Sequence, residues 1–150
     1  MWLTTLMVLG LSGQVQIEDI KYQTNLAGVA RSELNIVTRL KNLRAATEKL
    51  PDSWKATGIR GQEDRMLTKP YLLTEIENME LLAAERWALI VENTATIDVP
   101  HDQSDSKSQA FRKQLPDLSK AQLELNQKLD AFNTKLKDGI LLNLASSLSN

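Results

Sequence analysis

Apolar residues recur at every seventh position from Val15 through Tyr22, Val29, Ile36 and Leu43 to Leu50. This is the strongest periodic signal in the chain. The neighbouring row alternates, with Leu26 and Leu40 apolar but Asp19, Glu33 and Thr47 polar, so a two-row coiled-coil seam is incomplete. Ala27, Ala30, Leu34 and Val37 widen the stripe toward the face expected of a helix within a bundle. The pattern predicts a helix from near Gln16 to Leu50, stopped by Pro51-Asp52. Gly28 lies inside it, at a loss of about 1 kcal/mol relative to alanine, and suits close approach by another helix.

A second amphipathic stripe follows Pro70, which is tolerated in a first helical turn because its missing N–H would be unpaired there anyway. Leu72, Ile76, Met79, Ala83, Trp87 and Ile90 fall at spacings of three and four, and Leu73, Leu82, Leu89 and Val91 broaden that face. This helix should end near Asn93. Beyond a polar stretch from Thr94 to Gln109, Ser104 to Leu115 suits a short helix with Ala110, Phe111 and Leu115 inward, broken or kinked at Pro116. Ser119-Lys120-Ala121-Gln122 matches a capping box, and Leu125, Leu129, Phe132 and Leu136 carry the helix it would open. Lys137-Asp138-Gly139 weakens that helix. The tail, Ile140, Leu141, Leu142, Leu144, Ala145 and Leu148, is apolar nearly all round and too short to span a bilayer. It suits core packing, an oligomer contact or a membrane-surface segment.

These elements predict an all-α fold: an antiparallel three- or four-helix bundle or a long helical hairpin, with an apolar N-terminal segment. One helical domain, 14–150, follows a head at 1–13, with connections near 51–70 and 94–109. A helix of some 35 residues runs to about 50 Å, longer than a compact domain of this size, so its ends call for a partner. The connection from Pro51 to Pro70 shows no helical period, and long loops of this kind tend to be functional. Its Gly58-Ile59-Arg60-Gly61 has neither a Walker spacing nor GxGxxG, and no strand pattern precedes it. Trp54 and Met66 are placed to plug the end of the helices.

The head, Met1 to Ile17, carries no charged side chain. Its apolar run, Trp2 to Leu11, is too short for a full span and fits the core of a secretory signal, with small residues at Gly10, Ser12 and Gly13. A positively charged flank is missing. A signal or partial anchor implies a secreted, periplasmic or membrane-associated protein. The competing expectation is a cytoplasmic chain that buries Trp2, Leu3, Leu6, Met7 and Leu11.

Composition narrows the chemistry. The 150 residues contain no cysteine, which removes disulfides, thiolate zinc sites and cysteine nucleophiles. The single histidine, His101, sits in Val99-Pro100-His101-Asp102 without a nucleophile elbow, and a solvated loop side chain is expected. Net charge is −1, without the clustered basic footprint of a nucleic-acid binder. Bases exceed acids from Glu18 to Leu50, whereas Tyr71 to Asp98 holds Glu75, Glu77, Glu80, Glu85, Glu92 and Asp98 against Arg86. That asymmetry suits antiparallel neighbours through exposed pairs worth about 0–1 kcal/mol each, or an acidic docking face.

The expectation is a non-enzymatic structural or interaction subunit of an envelope, secretion or virion-type assembly. Its partners would be proteins, including copies of itself, with membrane contact through the head. No nucleic acid, cofactor or metal is expected. A secreted four-helix ligand of cytokine type and a helical carrier or sensor for a small apolar ligand are the alternatives. Candidate contact residues are Trp54 and Arg60 in the first connection, Glu77 and Glu80 on the acidic helix, and Leu141, Leu144 and Leu148 in the tail.

Overall fold

A computed structural model describes residues 16–59 and 65–149, with side-chain surroundings given through residue 145. Helix accounts for 81% of the structure, so the all-α class stands. The described elements are α1 (Ile17–Glu48), β1 (Lys55–Ala56), β2 (Leu67–Thr68), α2 (Lys69–Thr94), a 3₁₀ turn (His101–Gln103) and α3 (Ser106–Ser149). The head at 1–15 and Arg60 lie outside the described residues, as does the side chain of Leu148.

Both rows of α1 are inside. Tyr22, Val29, Ile36 and Leu43 are buried, and so are Leu26 and Leu40 together with the polar Asp19, Glu33 and Thr47. The incomplete seam is therefore a full one, because each polar member finds a partner in place of apolar contact. Thr47 satisfies its hydroxyl locally, donating to the Leu43 carbonyl at 2.8 Å. Ala27, Leu34 and Val37 are exposed, and of the wider stripe expected of α1 Ala30 packs, half-buried, against the core. Gly28 has open space where a Cβ would stand and brings no helix close.

The largest correction is α3. A short helix broken at Pro116 and a second one capped at Ser119 are replaced by one continuous helix of 44 residues with Pro116 inside it. It starts where Asp105 accepts the Ser108 N–H at 2.7 Å, a good N-cap arrangement. Pro116 removes one backbone bond and crowds the preceding turn, at about 3 kcal/mol. Burial of Phe111, Leu115, Gln122, Leu125, Leu129, Phe132 and Leu136 along one face offsets it. Gln122 donates to the Val29 carbonyl of α1 rather than capping its own helix.

Ion pairs and hydrogen bonds between helices fix the directions. Asp19 meets Arg112, Glu33 meets Gln122 and Arg39 meets Asp130, rising together, so α1 and α3 run parallel. Arg44–Glu80 and Glu33–Arg86 run in opposite order, so α2 is antiparallel to α1. All three helices contribute to two apolar clusters. One holds Tyr22, Leu26, Val29, Ile90, Phe111 and Leu115; the other runs from Ile36, Leu40 and Leu43 through Leu72, Ile76 and Met79 to Leu125, Leu129 and Phe132.

The described parts of the first connection are built, not loose. A two-residue antiparallel ladder pairs Lys55 with Thr68 and Ala56 with Leu67, so a short strand does precede Gly58. Thr68 caps α2 by accepting the Tyr71 N–H at 3.3 Å. Lys69 donates to the Glu48 and Leu50 carbonyls, satisfying groups left open at the end of α1. Trp54, Ile59 and Leu67 are buried in the larger cluster. Trp54 is thus the plug expected, while Met66 is exposed. The Trp54 indole lies on Gly139, where an added Cβ would come within 2.7 Å of Cζ2. Glycine is required there for the close approach.

Candidate functional site

Among the described residues, three places concentrate polar or exposed apolar groups: a layer between the two clusters, a groove at one end, and the far end of α3. The layer is formed by Glu33 of α1, Arg86 of α2 and Gln122 of α3. Glu33 is fully buried. Arg86 Nε donates to Glu33 Oε1 at 2.8 Å and a terminal nitrogen donates to Oε2 at 3.3 Å, while Gln122 Nε2 donates to Oε1 at 3.0 Å and to the Val29 carbonyl at 2.8 Å. One carboxylate is therefore held by groups from both other helices. Such a pair repays its desolvation only with good geometry and extra hydrogen bonds, and both are present.

The groove lies between the N-terminal halves of α1 and α3. It is open, about 810 Å³, with Tyr22, Val29 and Leu115 among its lining residues and Asn25, Gly28, Ser32, Pro116 and Ser119 along it. Short side chains at these positions leave the seam uncovered, whereas further along Arg39 bridges to Asn126 and Asp130. At its end Arg112 stacks 4.1 Å from the Tyr22 ring centroid and donates to Asp19 Oδ1 at 2.6 Å and the Val99 carbonyl at 2.7 Å. Burial alone would raise the Asp19 pKa, but the bonds from Arg112 and the His101 N–H, with the Arg112 charge, hold it below the ordinary value. Burial pushes the Tyr22 phenol up, partly opposed by Arg112. Asp19 Oδ2 and Arg112 Nε have no hydrogen-bond partner.

His101 enters this site through its backbone. Its N–H donates to Asp19 Oδ1 at 3.0 Å, and its carbonyl accepts from Ser104 Oγ and Gln109 Nε2. The residue opens a 3₁₀ turn and is half-buried rather than fully solvated. Among the described residues, no group of three or more His, Asp or Glu side chains is placed to hold a metal, and no helix is long and apolar enough to cross a membrane.

No family model, curated protein or solved structure matches this chain. The residues themselves must carry the functional reading.

The candidate contact residues do not form one site. Trp54 is buried against Gly139 and unavailable as a surface anchor. Glu80 is committed to Arg44, which donates to both of its oxygens and has its own pKa raised chiefly by that bond. Glu77 is exposed on α2. Leu141 and Leu144 are 62% and 54% exposed on α3, beside the partly exposed Ile140 and Leu142. Sequence reasoning missed Asp19, Glu33, Arg86, Arg112 and Gln122 as a buried polar set. The available signal was spacing: Asp19, Glu33 and Thr47 interrupt one core row every fourteenth residue, and Arg86 sits three after Ala83 and four before Ile90.

Proposed function

We propose that this chain is a non-enzymatic structural or interaction subunit of an envelope, secretion or virion-type assembly, built as a three-helix bundle that offers helix faces to protein partners. The observation that carries this reading is the end of α3, where Ile140, Leu141, Leu142 and Leu144 are exposed together. Contiguous exposed apolar surface marks an interaction site more often than an isolated leucine does. The buried charges support it from the other side, since Asp19, Glu33, Arg86 and Arg112 are held in pairs within the bundle. The uncharged head, Met1 to Ile17, is the proposed route to the envelope, as a signal or a partial anchor.

A photo-cross-linker placed at Leu144 in the full chain, made at low level in cells that are then fractionated, tests the reading. Cross-linked species in the envelope or particle fraction are expected. A chain that stays uncross-linked and wholly cytosolic would overturn both the role and the location.

The groove favours a second reading, a carrier or sensor for a small ligand. Because polar and apolar groups both line it, the ligand would be amphipathic rather than purely lipophilic. Heat stabilisation by such compounds, lost in Gly28→Leu, is its test.

A further inference from the structure

We propose that the start of α3, Ser106 to Leu115, is an arm that opens as a unit about Pro116 while the rest of the bundle stays folded, uncovering Tyr22, Leu26, Val29 and Ile90. Such a device is independent of either functional reading.

The hinge follows from covalent structure. Pro116 lies inside α3 and has no N–H, so the Arg112 carbonyl one turn earlier lacks its helical partner, and the proline ring crowds that turn. The arm is therefore joined to the rest of α3 across a turn with one backbone bond missing. Beside this joint, Gly28 and Ser32 of α1 and Ser119 of α3 line the open groove together with Pro116. Their short side chains leave the joint uncovered.

The two sides of the joint are held unequally. On the arm, Phe111 and Leu115 are the buried apolar side chains. Arg112 ties it to α1 through Asp19 at 2.6 Å and to the preceding connection through the Val99 carbonyl at 2.7 Å. The Lys107–Glu92 pair is exposed on both sides and holds weakly, while Gln109 bonds the His101 and Ser104 carbonyls of the connection that leads into the arm. Beyond the joint, Leu125, Leu129, Phe132 and Leu136 are buried, and Gln122, Asn126, Asp130 and Lys135 each bond to another helix. Opening costs in proportion to the apolar area it exposes, so the arm yields before the longer part. Segments with few buried contacts open locally in this way. A ten-residue helix is marginal in water by itself, so detachment and unwinding go together. Opening clears a trough about 15 Å long on α1 and α2. Tyr22 then loses two neighbours at once, the Phe111 ring edge and the Arg112 guanidinium over its face.

Hydrogen exchange of the full chain, resolved to single amides by NMR over a series of low urea concentrations, is the test. Amides 110–115 are expected to exchange about a hundredfold faster than amides 125–136, and with a weaker urea dependence, because arm opening exposes less surface than global unfolding. Amides 22–29 of α1 should stay in the slow class. Equal rates and equal urea dependence in the two parts of α3 would overturn the arm. So would fast exchange spreading into 22–29, which means fraying of the whole end. Pro116→Ala restores the missing bond and should slow amides 110–115 at least tenfold; an unchanged rate overturns the hinge. The chain has no native cysteine, so Glu92→Cys and Lys107→Cys can be joined by a short bis-maleimide. That bridge should bring amides 110–115 down to the rate of 125–136, and arm amides that still exchange fast would overturn opening as a unit.

Discussion

Glu33 shows how much one buried carboxylate decides. Glu33→Ala leaves the Arg86 guanidinium without its bidentate partner in a nearly dry layer, and breaking a buried pair in this way costs about 3–5 kcal/mol. The urea midpoint should fall accordingly, whereas Glu77→Ala, exposed on α2, should move it by less than about 0.5 kcal/mol. Asp19 makes a prediction in pH. Its folded pKa lies below the ordinary carboxylate value, so its stabilisation is present above the unfolded pKa of about 3.9 and is lost as pH falls through the folded pKa. Urea melts between neutral pH and pH 3 should therefore show a steeper acid loss in the wild type than in Asp19→Asn. Parallel curves for the two proteins would refute the assignment. At this scale the sequence was least legible. Asp19 and Glu33 read as interruptions of an apolar row, because a one-dimensional pattern cannot show that Arg112, Arg86 and Gln122 arrive from other helices to meet them.

At the scale of elements, glycine gives opposite predictions at two places. Gly28→Ala adds a methyl to open space and should stabilise α1 by up to about 1 kcal/mol through helix propensity. Gly139→Ala gains the same propensity but drives Cβ to 2.7 Å from the Trp54 ring, and overpacking of that kind costs about 1–3 kcal/mol. Net destabilisation is expected at Gly139, with a change in Trp54 fluorescence, and thermal melts of both variants would show the opposed signs. Helix α2 was legible almost residue by residue: Leu72, Ile76, Met79, Ala83 and Ile90 are all buried, and Trp87 packs half-buried against the smaller cluster, beside Arg86 reaching inward to Glu33. Helix α3 was not. Pro116 and a chance capping sequence at Ser119 argued locally for a boundary, and burial of Leu115, Gln122 and Leu125 on α1 overrode them. Its start was legible: the helix expected from Ser104 begins at Ser106, where Asp105 accepts the Ser108 N–H.

For the whole molecule, the polar layer raises a question that stability alone does not answer. Two apolar clusters built from the same leucine-type side chains lie on either side of Glu33, Arg86 and Gln122. Without that layer, parallel α1 and α3 could slide by one heptad and still bury leucine against leucine. With it, a slip strands a carboxylate and a guanidinium in apolar surroundings, at several kcal/mol for each uncompensated charge. The layer therefore discriminates between registers even where it adds little to the right one, as single polar core positions do in coiled coils. Replacing all three residues, Glu33→Leu, Arg86→Met and Gln122→Leu, should raise the unfolding free energy by about 1–4 kcal/mol while degrading uniqueness. Broadened or doubled amide resonances are expected. A triple variant that is both more stable and as sharply resolved as the wild type would show that register is set elsewhere. The strongest remaining candidates would then be Trp54 on Gly139 and Asp19 on Arg112, which pin the two ends.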